Sequence, residues 1–202
     1  MKKLNIISEF IISQHKQGID FQNLNSQQNL QNENEAYEVQ FLYQKNAGRG
    51  IIGGYKIALA SKVQQKLCSI DNPIAGGIFK NEIYKSPINI ELKNYHSLGL
   101  EFEIAFEISK DIDPKISKKN NFDIIRYLSN AYTCLELIDD RNASYDKLDP
   151  YSLIADNAWS SGVILGEKIV DWKNLDLNQL NSKLFWNDKI ISEAKLNNSN
   201  PI

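Results

Sequence analysis

One stretch of the chain, Leu98–Ile108, alternates between large apolar side chains and a second set that includes three glutamates. Side chains on a strand point alternately to its two faces, so this pattern predicts a β-strand with one apolar and one acidic face. The acidic face carries Glu101, Glu103 and Glu107. On an extended strand the Cα atoms of Glu101 and Glu103 are roughly 6–7 Å apart, so both carboxylates can reach one cation.

The same strand has a simpler interpretation. An edge strand with a solvated acidic face shows the same alternation, and like charges on an edge discourage aggregation. Periodicity identifies the two faces of a strand but not the ligands of an ion. On this segment alone, both interpretations stay open.

The composition indicates a soluble globular protein. A length of 202 residues suits one domain, or one domain with a small appendage, and 42% hydrophobic residues can form a sizeable core. A net charge of −2 argues against nucleic acid and anionic membrane surfaces as partners. Cys68 and Cys134 form no C-x-x-C pair, and no stretch approaches the roughly 20 apolar residues of a membrane span. We therefore expect a cytoplasmic protein with two reduced thiols.

Hydrophobic periodicity and turn residues predict many short strands and a few helices. Helices are predicted from Leu4 to Gly18, over Glu35–Asn46, from the N-cap Ser61 to Leu67, and over Asn121–Tyr132. Strands are predicted over Ile51–Ala60, Ile78–Ile83, Ile88–Leu92, Leu98–Ile108, Cys134–Ile138 and Trp159–Leu165, with a hairpin of Lys183–Trp186 and Lys189–Ala194 around Asn187-Asp188. Turns are predicted at Asp71-Asn72-Pro73 and at Gly76-Gly77. This order favours an α+β fold over a wound βαβ fold.

Six short segments follow one another along the chain: Ala36–Gln40, Gly54–Leu59, Val63–Gln65 with Asp71–Pro73, Leu100–Ala105, Leu135–Arg141 and Ala155–Ala158. Together they resemble the fumarylacetoacetate hydrolase family, in particular its 2-keto-4-pentenoate hydratase branch. The resemblance covers most of the chain from about residue 35 onward. It implies an α+β fold with a mixed β-sheet/β-roll core and N-terminal helices. We expect a helical segment over residues 1–50, packed on a β-rich hydratase-like domain over residues 51–202.

The resemblance implies a metal site formed by Glu101, Glu103 and Glu136, with Mg²⁺ or Mn²⁺ as the cation. Glu136 has a leucine on each side in the sequence, which indicates a buried position. A buried carboxylate needs a partner, and a cation is one. Arg141 and Arg126 are the alternative partners.

The resemblance also implies that Lys56 and Asp156 are catalytic residues. Considered alone, Lys56 would be a strand lysine that faces solvent, which is the commoner situation. Asp156 and Asn157 correspond to a family loop motif, although Asn157 could equally be a turn residue. His15 and His96 match no functional position of the family, so we expect them to be surface or packing residues.

The implied activity is that of a divalent-metal-dependent hydratase in aromatic catabolism. It would add water to a small 2-hydroxy-2,4-dienoic acid or its 2-keto tautomer, and the protein would be a homo-oligomer. Two alternatives stay open. One is a degenerate, non-catalytic member that binds a metal, a keto acid or a partner protein. The other is a related 2-keto acid decarboxylase that uses the same metal site.

The sequence departs from the family pattern at two places. Ile74 follows the proline of the Asp-x-Pro turn, where family members often have an acidic residue. The chain also stops at Asn200-Pro201-Ile202, where the family pattern continues with a helix and further strands. The resemblance therefore predicts a fold that is incomplete at its C-terminus, with exposed sheet edges and apolar surface unless a partner covers them.

Overall fold

The structure is a computed structural model that describes residues 2–25, 28–119 and 122–195. Within these residues, the helices are α1 (Lys2–Gln17), α2 (Glu33–Asn46), α3 (Lys62–Leu67), α4 (Pro114–Ser117) and α5 (Pro150–Ala155). The strands are β1 (Ile52–Ala58), β2 (Ile74–Phe79), β3 (Ile83–Lys85), β4 (Leu98–Ile108), β5 (Leu128–Asp139), β6 (Ser160–Lys168), β7 (Asn181–Trp186) and β8 (Lys189–Lys195). The predicted α+β class is confirmed.

The strands form three sheets. β1 and β2 pair antiparallel, and this register places Lys56 opposite Gly76. A four-stranded sheet has the order β3-β6-β5-β4, so the glutamate-bearing strand β4 lies at an edge, beside β5. β7 and β8 form an antiparallel hairpin. The neighbouring positions of β4 and β5 bring the acidic residues of both strands onto one sheet.

The chain divides into two compact units. The first contains the described residues up to Tyr84, together with Ile88–Glu101 and Glu136–Val163. Its core consists of apolar side chains from α1, α2, α5, β2 and the segment that follows α5. The largest fully buried members are Tyr43, Phe79 and Ile7.

The second unit contains Lys85–Pro87, Phe102–Leu135 and the described residues from Ile164 onward. Its smaller core is centred on Trp172, whose ring contacts the Phe106 ring edge-on with centroids 5.2 Å apart. The predicted boundary at residue 50 stays a prediction.

Most elements that depend on local sequence form where they are predicted. α1 ends at Gln17, and Gly18, which follows it directly, has a φ of 60°. Ser61 caps α3 in a capping box. Its hydroxyl accepts a hydrogen bond from the Gln64 backbone N–H, and the Gln64 side-chain oxygen accepts one from the Ser61 backbone N–H. Asn187 and Asp188 have φ values of 47° and 64°, as a two-residue hairpin turn requires.

Four predictions about secondary structure differ from the structure. The segment predicted as a helix over Asn121–Tyr132 forms, within its described part, a short 3₁₀ turn and then the start of β5. The segment Ile88–Leu92 forms no strand. Gly76-Gly77 lies inside β2 and not in a turn. The predicted strand over Ile78–Ile83 is divided between the end of β2 and the start of β3.

The apolar face of β4 is only partly covered. Leu100 and Phe102 are 44% and 41% exposed. No helix among residues 2–25, 28–119 and 122–195 has the length and apolar character needed to cross a membrane.

Candidate functional site

Three acidic side chains of β4 and β5 lie together. One carboxylate oxygen from each of Glu101, Glu103 and Glu136 lies within 4.8 Å of the others. Glu101 is exposed, Glu103 is half-buried and Glu136 is 1% exposed. Glu101 and Glu103 lie side by side because residues i and i+2 of a strand share one face. Glu136 lies on β5, the strand next to β4 in the sheet. The structure thus brings together all three predicted ligands, and the identity of what they bind stays a prediction.

Lys56 is the ion-pair partner of Glu136. Its Nζ lies 2.7 Å from Glu136 Oε1, and Lys56 is 5% exposed. Neither of the arginines considered as alternatives takes this place. Arg141 pairs with Asp156, and Arg126 pairs with Asp123 on the surface. Lys56 therefore points inward to the acidic cluster, unlike an ordinary strand lysine.

A left-handed loop, residues 157–159, supports Lys56 from the other side. Its three consecutive residues have φ values of 55°, 49° and 56°, which is unfavourable for non-glycine residues. The Ala158 carbonyl accepts a hydrogen bond of 3.0 Å from Lys56 Nζ. The Asn157 side chain holds the loop on β2, because it accepts from the Gly77 N–H and donates to the Gly77 carbonyl. Asn157 is thus a buried anchor of this loop.

The two glycines of β2 allow close approach of their neighbours, and at Gly76 the neighbour is the left-handed loop. A Cβ atom at Gly76 would lie 2.5 Å from the backbone oxygen of Asn157, a contact that side chains do not make. At Gly77 a Cβ atom would lie 2.7 Å from the Gln44 side-chain nitrogen. Neither glycine has a positive φ, so close approach of the backbone explains Gly76, and close approach of the Gln44 side chain explains Gly77.

Asp156 lies in a different set of contacts. Its Oδ2 accepts a hydrogen bond from Arg141, and its Oδ1 lies 2.5 Å from His15 Nε2. Asp156 and Arg141 are both almost wholly buried. Asp156 thus pairs with Arg141 and His15, whereas Lys56 pairs with Glu136. This geometry favours a structural ion pair, and a catalytic role for Asp156 stays a prediction.

Two further residues near these groups were not predicted to be functional: His15 was expected to be a surface or packing residue, and Tyr145 carried no prediction. His15 contacts Asp156 across 141 sequence positions, which helical periodicity in α1 does not reveal. Tyr145 donates a hydrogen bond of 2.8 Å to Asp140, and its ring contacts the Trp159 ring edge-on at 5.4 Å. Burial, and then the bond to Asp140, raise the pKa of Tyr145, and the negative charge of Glu101 adds to this.

Comparisons with known proteins identify relatives. No protein-family model matches the chain. The 2-keto-4-pentenoate hydratase of Paraburkholderia xenovorans is 27% identical over 150 residues, which are 73% of this chain and 54% of that protein. The 2-oxo-hept-4-ene-1,7-dioate hydratase of Escherichia coli is 29% identical over 168 residues, 79% of this chain and 61% of that protein. The chain thus spans little more than half the length of the curated relatives it matches.

A solved structure has the same fold. The 4-oxalocrotonate decarboxylase from Pseudomonas putida G7, complexed with magnesium and adipate, superimposes with a TM-score of 0.81 at 21% identity. The match covers 96% of this chain and 73% of that chain. The same fold is found for that enzyme complexed with calcium and acetate, with a TM-score of 0.79. At this identity the likeness establishes the fold.

Proposed function

We propose that this chain is a divalent-metal-dependent hydratase of the fumarylacetoacetate hydrolase family, in the branch of the 2-keto-4-pentenoate hydratases, which its relatives and its fold support. Its substrate would be a small 2-hydroxy-2,4-dienoic acid, to which it adds water. One observation carries the proposal: the carboxylates of Glu101, Glu103 and Glu136 converge within 4.8 Å, beside the buried ammonium of Lys56.

The chemistry of this cluster fits a divalent cation. Three carboxylates and one ammonium leave two negative formal charges, which one divalent ion neutralises. All donors are oxygens, as Mg²⁺ and Mn²⁺ prefer. We propose that Glu101, Glu103 and Glu136 hold the ion. When bound, it would act as a Lewis acid that stabilises negative charge developing on the substrate oxygens.

Lys56 would supply the second positive charge of the site. Its Nζ forms an ion pair with Glu136 and donates a hydrogen bond to the Ala158 carbonyl. The same ammonium would stabilise the substrate oxygen that gains negative charge as water adds. Because both partners are fixed and buried, Nζ is held in place before substrate binds. Such preorganisation is what gives an electrostatic contact its effect on rate.

The test is Mg²⁺-dependent loss of the dienoate absorbance. We expect activity with Mg²⁺, none in EDTA, and recovery when the metal is restored. Glu103→Gln should weaken divalent binding and lower kcat/KM together, by roughly 10²-fold or more, as for other charge-stabilising groups. Glu107→Gln is the matched control, because Glu107 lies on the same strand outside the cluster. Full activity of Glu103→Gln at controlled free Mg²⁺ would contradict the proposal.

The alternatives give different results in the same assay. A protein that binds Mn²⁺ and a keto acid but shows no rate above background would be a non-catalytic member. Release of CO₂ from an unsaturated keto diacid, without hydration of the dienoate, would identify a decarboxylase. A homo-oligomer and a cytoplasmic location also stay predictions, which native mass measurement and cell fractionation test.

A further inference from the structure

The left-handed loop, residues 157–159, is held at its start by Asp156. The Asp156 carbonyl accepts a hydrogen bond of 3.2 Å from the Trp159 N–H, which closes the loop as a turn. Consecutive non-glycine residues with positive φ persist only where the surrounding structure fixes them. The position of Asp156 therefore determines where the loop begins, and with it where the Ala158 carbonyl lies.

Two side chains from other parts of the first unit fix the Asp156 carboxylate. Arg141, which follows β5, donates to Oδ2. His15, in the last turn of α1, lies with its Nε2 2.5 Å from Oδ1. An ionised carboxylate only accepts hydrogen bonds, so this nitrogen of His15 carries the proton. Asp156 is almost wholly buried, so water has little access to replace a donor that is removed.

The loop leads from these contacts to the proposed metal site. The Ala158 carbonyl accepts the 3.0 Å hydrogen bond from Lys56 Nζ, and Nζ lies 2.7 Å from Glu136 Oε1. His15, Asp156 and these three groups all belong to the first unit. A shift of the left-handed loop would thus move the Lys56 ammonium relative to the Glu136 carboxylate.

We propose that His15 is a positioning residue of the site: through Asp156 it holds the left-handed loop, and the loop holds the Lys56 ammonium. This role rests on the proposed function, in which that ammonium stabilises negative charge that develops on the substrate. His15 needs no contact with the substrate or the metal for this role. Its loss should therefore affect the reaction rate and leave the binding of both almost unchanged.

Two variants of His15 test the role in the dienoate assay. His15→Ala removes the donor to Asp156, and alanine is the best helix former, so α1 should be retained. We expect kcat to fall about tenfold, with KM and the affinity for Mg²⁺ changed by less than about twofold, because a small misplacement of a charged group slows the reaction. His15→Gln should restore kcat to within about threefold, since its amide nitrogen is as many bonds from the backbone as Nε2 and donates to the same oxygen.

His96→Ala is the matched control. His96 Nε2 also lies close to an aspartate, 2.6 Å from Asp20 Oδ1, and both residues belong to the first unit outside the left-handed loop. Its kcat should equal that of the unaltered protein. Equal kcat values of His15→Ala and His96→Ala would overturn the positioning role, and so would a loss confined to KM.

An NMR readout without turnover separates this role from the hydratase proposal. The whole protein is labelled with ¹⁵N-lysine and measured in EDTA, and the Lys56 ammonium is the signal that Lys56→Met lacks. We expect this signal to shift in His15→Ala, to return in His15→Gln and to stay in place in His96→Ala. If the unaltered protein does not hydrate the dienoate but the signal behaves in this way, the proposed function fails and the positioning contact is supported. An unmoved Lys56 signal in His15→Ala would overturn the positioning role, whether or not the protein is active.

Discussion

The ion pair of Lys56 and Glu136 allows a stringent test, because both side chains are almost wholly buried. They are 5% and 1% exposed, with 2.7 Å between the charged atoms. Removal of one partner from a buried pair leaves a charge that water cannot solvate, at a cost of about 3–5 kcal/mol. We therefore expect Lys56→Met to lower the free energy of unfolding by that amount in EDTA. For a chain of this size the Tm falls by roughly 6–20 °C.

Magnesium should reduce this loss. The ammonium and the cation both interact with the Glu136 carboxylate, so removal of the ammonium should strengthen metal binding. A ligand at 100 times its Kd stabilises the folded protein by about 2.7 kcal/mol. We expect the Tm increase caused by a fixed Mg²⁺ concentration to be larger in Lys56→Met than in the unaltered protein. Thermal and urea unfolding, each with Mg²⁺ and with EDTA, measure both quantities.

Two variants complete this experiment. Lys56→Met combined with Glu136→Gln removes both charges and should be more stable in EDTA than Lys56→Met alone. Lys66→Met removes an exposed lysine of α3 and should change the free energy of unfolding by less than about 0.5 kcal/mol. Similar losses in Lys56→Met and Lys66→Met would refute the reasoning, and so would an unchanged response to Mg²⁺.

Three other perturbations have defined outcomes. Gly76→Ala should destabilise the protein by about 1–3 kcal/mol in urea unfolding, because its Cβ would lie 2.5 Å from a backbone oxygen of the left-handed loop. Gly54→Ala, with its nearest neighbours at 3.9 Å, should not. Asp188→Val should reduce amide-exchange protection in the β7–β8 hairpin, since a β-branched residue disfavours a φ of 64°. The hydrogen bond from Asn130 lowers the pKa of Glu107 in the folded protein. This bond therefore stabilises the folded state at pH values above the ordinary carboxyl pKa. The stabilisation is lost as the pH falls through the lowered pKa of Glu107 in the folded protein. Asn130→Ala should raise that pKa in an NMR titration; an unshifted titration would contradict this assignment.

Local signals explain why several elements could be predicted. The capping box of Ser61 and Gln64 and the turn at Asn187-Asp188 use residues only a few positions apart. The same applies to β4, whose faces follow from alternation alone. The failure at Asn121–Tyr132 has the opposite cause. Its second half pairs within the four-stranded sheet as the start of β5, so hydrogen bonds to distant strands override a local helical pattern.

The candidate site divides in the same way. By itself, the sequence determined that Glu101 and Glu103 share one face of a strand, because a two-residue repeat is a property of the extended backbone. Only the tertiary structure decided that Lys56 neutralises Glu136, 80 positions away in the chain. A buried charge needs an opposite charge beside it, and the packing of the strands and the left-handed loop decides which residue lies close enough. No local sequence pattern encodes the distance between Lys56 and Glu136.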